Sequence, residues 1–219
     1  MMEKIMKLLI ETVDFKDLQV LTESSDNGCK SSKVIRIKGP FILSEVENKN
    51  NRKYKRDIIA REVKKFNEEK ISQNRALGQL DHPQSPTISL DRVSHKIESL
   101  EMDGNVAIGV AKIVDTPVGN IAKALILEGV LLGVSTRGIG TVGKDNWVND
   151  NFKLITIDLV AEPSAPNAFV ESILENKEYI IKENGDIVEV AVEKLQKRLD
   201  KEGSKAALDA MNEFIKSIK

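Results

Sequence analysis

Cysteine occurs once in the 219 residues, as Cys29 in a polar stretch. That excludes an intrachain disulfide and a multi-cysteine zinc site. Histidine occurs only twice, as His82 and His95, too few for a structural zinc site. No metal and no cofactor is expected. Aromatic residues make up 4% of the chain, so a core must rest on Ile, Val and Leu. Neither sign of charge dominates: the formal net charge is −1, which argues against a nucleic-acid binder that relies on a large positive field. No apolar run approaches the roughly 20 residues that span a bilayer. The stretch Met1 to Ile10 carries Glu3, Lys4 and Lys7 and lacks the unbroken apolar segment and cleavage site of a signal peptide. The expectation is a cytosolic protein with no membrane partner.

What is present suffices for one sizeable core, with 41% hydrophobic residues. Ile5, Leu8, Leu9 and Thr12 have helical spacing and predict a helix over Glu3 to Val13. Ser24 to Ser32 is small and polar and reads as a flexible linker. Residues 1–32 are therefore expected to form a helical arm and linker. Val34 to Lys38 alternates as a strand, Gly39-Pro40 punctuates it, and Phe41 to Val46 resumes as extended chain. Arg56 to Ile71 is an amphipathic helix with Ile58, Ile59, Val63 and Phe66 on its apolar side. Strands are expected over Ile88 to Leu100 and on to Val114, with a tight turn at Asp103-Gly104. Thr116 suits a helix N-cap, Pro117 the first helical position and Gly129 the C′ position. Gly133 to Val142 and Leu154 to Val160 are two further strands, followed by a short helix over Asn167 to Glu175. A hairpin turns at Asn184-Gly185, and a charged helical tail spans 191–219. The sum is an α+β chain with a mainly antiparallel sheet at 33–190 and helices flanking it.

His82 precedes Pro83, which biases it toward extended backbone. It is either a general base on a structured turn or a solvated turn histidine. Ser135 lies on a strand predicted to be buried, where a serine either bonds to backbone or serves as a nucleophile activated by a base. Arg137 shares its strand face, with an oxyanion-stabilising or anion-binding role set against a plain salt bridge. Glycine is dense here, at Gly133, Gly138, Gly140 and Gly143, and marks a bulge or close backbone approach. Gly-Val-Ser-Thr-Arg-Gly departs from the Gly-x-Ser-x-Gly elbow at Arg137. Asp158 is a carboxylate in the otherwise apolar run Ile155 to Val160. Such a group needs a partner, and orienting a histidine is one use for it. Asp81 and Glu162 are its rivals. His95 sits between Val93 and Ile97 and reads as structural.

Six segments in order resemble the prohead core protein proteases of large tailed phages, of T-even type. They are Asn48-x-Asn50-x-Arg52-x-Tyr54; Gly78-Gln79-Leu80-Asp81-His82-Pro83; Val93-Ser94-His95; Asp115-Thr116-Pro117-x-Gly119; Gly133-Val134-Ser135-Thr136-Arg137-Gly138-x-Gly140; and Asp158-Leu159-Val160-Ala161-x-Pro163-Ser164-Ala165-Pro166. The resemblance runs from about Val34 to Glu175. It implies a herpesvirus-assemblin-like, β-barrel-like fold and a serine endopeptidase that acts inside the procapsid in the bacterial host. Scaffold core proteins and the major capsid protein would be its substrates, and a homo-oligomeric ring its assembly. His82 carries over as base and Ser135 as nucleophile, with Asp158 matching the order of the third member. Arg137, Gly138 and Ser164 fall where oxyanion or substrate contacts are expected. Cleavage after Glu in a Leu/Ile-x-Glu context makes Glu23, Glu175, Glu183 and Glu189 candidate self-processing sites. Glu128 matches too but lies in a predicted packed helix. Arg137 and Lys123 are candidates for a basic P1 pocket. The competing reading is an inactive scaffold or capsid-interior protein of the same fold. An N-terminal arm occupying the cleft is the expected form of latency.

Overall fold

The computed structural model describes residues 5–13, 18–26, 31–83, 85–161, 178–182 and 185–190. Among these residues, ten strands and two α-helices follow the order β1 (Met6–Val13), β2 (Gln19–Asp26), β3 (Ser31–Leu43), α1 (Arg56–Phe66), β4 (Leu77–Gln79), β5 (Val93–Asp103), β6 (Val106–Ile113), α2 (Pro117–Leu127), β7 (Gly133–Gly140), β8 (Lys153–Val160), β9 (Glu178–Ile181) and β10 (Ile187–Glu189). They form two five-stranded antiparallel sheets, ordered β10-β9-β1-β7-β8 and β2-β3-β6-β5-β4. Edge strands β4 and β8 meet through a parallel bridge between Leu80 and Leu159, and Asp81 N–H donates to Leu159 O at 2.8 Å. The main core lies between the sheets and under α1, with Phe41, Ile59, Ile97, Leu100, Val134, Ile157 and Leu159 buried in it.

The N-terminal helix expected over Glu3 to Val13 is a strand instead. Residues 6–13 are apolar on both faces: Met6, Leu8 and Ile10 enter one apolar cluster with Ile139 and Ile155, and Leu9 and Val13 enter the main core. A run buried on both sides satisfies helical spacing as well as strand spacing. Pairing from Lys7↔Gly140 to Val13↔Val134 decides between them. The 1–32 arm is thus no appendage, because β1 is the middle strand of its sheet. The same pairing places residues 7–13 in the sheet rather than in a cleft. The ends of the expected linker, Ser25 to Asp26 and Ser31 to Ser32, pair with each other in the β2–β3 hairpin, and Ser24 pairs with Lys33; Cys29 lies outside the described residues. The expected C-terminal tail 191–219 and the helix at 167–175 also lie outside them.

Elsewhere local signals hold. α2 is capped by Thr116, whose hydroxyl accepts from Gly119 N–H at 2.9 Å, with Pro117 opening the helix. Gly129 follows it at φ +82°. β3 does not stop at Gly39-Pro40; a register shift between Pro40 and Ile42 absorbs the proline. α1 ends at Phe66, and one π-helical turn, Asn67–Ile71, carries the chain to the expected limit.

Candidate active site

β7 and β8 pair so that Ser135 stands directly opposite Asp158 and Arg137 opposite Thr156. Opposed residues of an antiparallel pair project to the same face, so serine and carboxylate share one side of the sheet. β4 runs along the free edge of β8. There Gln79 N–H donates to Asp158 Oδ1 at 3.0 Å, and Thr156 Oγ1 donates to Leu77 O at 2.6 Å. The chain then turns through Asp81, at φ +60°, and delivers His82 onto the same carboxylate. His82 Nδ1 lies 3.2 Å from Asp158 Oδ2. Among the described residues its buried Nε2 has no hydrogen-bond partner. Ser135 is wholly buried, and its hydroxyl donates to the backbone carbonyl of Glu11 on β1 at 3.0 Å. The imidazole therefore has one nitrogen anchored on an acid and the other uncommitted, while the serine proton rests on a neighbouring strand.

Asp158 is wholly buried and carries a dense set of donors. Arg137 approaches it twice, with Nε 2.9 Å from Oδ2 and Nη2 3.2 Å from Oδ1. Burial alone would push the carboxyl up; the His82 hydrogen bond and the Arg137 charge outweigh it and hold the group below its ordinary value. Arg137 is also fully buried. Its remaining donors reach Gln79 Oε1 at 2.6 Å, Ser85 O at 2.6 Å and Thr87 O at 3.2 Å. The guanidinium thus ties the segment after His82 to the sheet. The side chain is 0% exposed, so in this structure the guanidinium serves as a tie within the sheet. Gly138 is likewise a packing residue: a Cβ there would fall 2.4 Å from Phe152 Cε2 and 2.8 Å from Lys153 O. Lys123, proposed for a P1 pocket, is half-buried on α2, a helix that packs on β5 and β6 of the other sheet.

His95 takes no part in this relay. Its Nε2 donates to Ile157 O at 2.9 Å, so Nδ1 is the acceptor from Ser94 Oγ, also at 2.9 Å. Burial is the main influence on it and lowers its pKa to about 4. The ring crosses over Gly78, where a Cβ would meet His95 Nε2 at 2.1 Å, which explains the glycine that opens the His82 segment. Asp81, one rival for the acid, is exposed and its backbone N–H is spent on Leu159. Glu162 and Ser164 lie outside the described residues. So do Glu175 and Glu183. Glu23 sits on β2, paired with Arg36 at 2.7 Å, rather than in a free linker. Glu189 closes β10, and Glu128 caps the C-terminus of α2.

One constellation has only some of its members marked in the sequence. The side chain of Glu11, 8% exposed, emerges on the sheet face opposite Ser135 and is enclosed by the segment before α1. Asn48 Nδ2 and Asn50 Nδ2 donate to its Oε2 at 2.5 and 2.9 Å. Arg52 Nη1 and the Tyr54 hydroxyl donate to Oε1 at 3.1 and 2.7 Å. These four are the alternate residues of Asn48-x-Asn50-x-Arg52-x-Tyr54. Burial, the largest influence, raises the Glu11 pKa although Arg52, Tyr54 and Asn50 oppose it. The spacing signal was present in the sequence; the acid it serves is about forty residues away and gave none.

The whole arrangement lies within residues 8–178, which match the family model described as prohead core protein serine protease. The chain belongs to this family. It is 33% identical over 178 residues to the prohead core protein protease of Enterobacteria phage T4, an alignment covering 75% of this chain and 83% of that protein. Among solved structures it is similar to the bacteriophage T4 capsid assembly protease gp21, with TM-score 0.63 and 28% identity over 71% of this chain and 98% of that one. The family resemblance drawn from the six segments therefore holds, and with it a protease of phage head maturation. Among the described residues no helix is long and apolar enough to cross a membrane, and no group of metal-binding side chains occurs.

Proposed function

We propose that this prohead protease is a serine endopeptidase in which His82 is the general base, Ser135 the nucleophile and Asp158 the orienting acid. The observation that carries the reading is the His82 ring, held at Nδ1 by Asp158 at 3.2 Å with Nε2 left without a partner among the described residues, on the sheet face that also carries Ser135. Asp158 fixes the tautomer with the proton on Nδ1 and stabilises the imidazolium formed during the reaction. The Ser135 hydroxyl turns from Glu11 O to His82 Nε2 and gives up its proton there. Its oxygen attacks the scissile carbonyl, and the tetrahedral intermediate collapses as His82 returns the proton to the leaving amine. Water, deprotonated by the same nitrogen, then releases the acyl group and restores the serine. Arg137 supports this chemistry indirectly, by holding Asp158 and the segment after His82. Backbone N–H groups of 161–165, Ser164 included, are assigned the oxyanion.

The substrates are the scaffold core and capsid proteins inside the procapsid, cut after Glu, with self-processing at candidate sites such as Glu175 and Glu183. The fold relationship to herpesvirus assemblins and assembly into a ring belong to the same proposal. An inactive scaffold of this fold would have no use for a buried carboxylate that holds a histidine whose other nitrogen is unpartnered. The test is incubation with the cognate scaffold and N-terminal sequencing of the fragments. Wild type should generate termini that follow Glu, and Ser135→Ala none. Equal turnover by both proteins would end the serine mechanism; cuts after other residues would end the specificity.

A further inference from the structure

We infer that Glu11 and the clasp around it form a positioning device for the nucleophile. The inference rests on Ser135 being the nucleophile and extends that reading to a residue on another strand. Glu11 joins two features through one residue. Its main-chain carbonyl takes the Ser135 hydroxyl at 3.0 Å, and its side chain, on the opposite sheet face, is gripped by four donors. Asn50 Nδ2 donates in addition to Ile10 O at 2.8 Å, so the peptide unit that enters residue 11 is held as well as the carboxylate. The clasp is itself prefolded. Asn48 Oδ1 accepts from the N–H groups of both Asn50 and Arg52 at 3.0 Å, and Asn51 sits at φ +56° to close the turn.

Such a cluster is a costly way to fasten a strand. A buried carboxylate–arginine pair is commonly matched or bettered in stability by apolar residues of similar volume. β1 already has Leu9 and Val13 in the core and a ladder of pairs with β7. What apolar packing does not provide is directional restraint on one carbonyl, and hydrogen bonds to a fixed carboxylate do. The carbonyl of Glu11 then sets where Ser135 Oγ waits. A shift of about 1 Å in such a group is enough to cost on the order of a hundredfold in rate.

The experiment uses the full chain carrying Asn50→Ala or Tyr54→Phe, two mild changes that leave the Glu11–Arg52 pair in place. For each, kcat and KM are measured on a Glu-containing peptide, together with the second-order rate of phosphonofluoridate labelling of Ser135 and the melting temperature. The inference expects kcat and the labelling rate to fall together by about tenfold or more, with KM within about twofold. Glu11→Gln, which keeps an acceptor oxygen for Tyr54 and Arg52, should retain more activity than Glu11→Ala. Unchanged labelling rates in variants that only melt earlier would reduce the clasp to a structural fastening and overturn the inference. Faster labelling would overturn it too, by making the carbonyl a restraint on the serine. Absence of labelling in wild type would instead sink the serine mechanism itself, and the inference with it.

Discussion

His95 makes the stability of this protein depend on pH in a way that can be isolated. The ring is fully buried between Ser94 Oγ and Ile157 O, and its pKa falls from 6.5 to about 4. The folded state thus favours the neutral ring, and the unfolded chain binds the proton first as pH falls. The contribution is fully present above about pH 6.5 and is lost as pH drops toward 4. A gap of about 2.5 units implies a loss of about 2 kcal/mol between pH 8 and pH 5, and about 3 kcal/mol by pH 3. Asp158, whose pKa is also lowered, loses its contribution in the same direction, so the wild-type trend alone does not isolate His95. Urea unfolding of wild type and His95→Gln at pH 8 and pH 5 does, because every other titrating group is common to both. The wild type should lose about 2 kcal/mol more than the variant over that interval. Equal losses would refute a buried neutral His95 and the cross-sheet link drawn through it.

Other outcomes follow from the same contacts. Asp158→Asn should cut kcat by about 10⁴ with KM little changed, since the His82 tautomer is no longer enforced; peptide turnover under saturating substrate measures it. Arg137→Met leaves the Asp158 charge buried without its cation and should cost about 3–5 kcal/mol. Amide exchange over 85–89 should accelerate in the same variant, because Ser85 O and Thr87 O lose their donor. Deletion of residues 1–32 removes a central strand; circular dichroism should show no cooperative unfolding, where release of a mobile arm would leave a folded and more active enzyme.

The parts legible in the sequence are those fixed within a few residues. Thr116, Pro117 and Gly129 delimit α2 by local chemistry alone. Asp158 stood out because a carboxylate in an apolar strand needs a partner, and the structure supplies His82, Arg137 and Gln79. What stayed hidden depends on distant pairing. β1 reads as a helix until β7 is placed beside it. Arg137 reads as a surface or substrate group until β4 and the segment after His82 close over it. The alternate Asn, Asn, Arg and Tyr at 48–54 carry a visible pattern whose purpose appears only with Glu11 in the middle.

The most direct measurement for the proposed chemistry is peptide mapping after reaction with a phosphonofluoridate. The account predicts a single adduct, on Ser135, that is lost in His82→Ala while the variant remains folded. An adduct on another residue, or undiminished modification of Ser135 without His82, would contradict it.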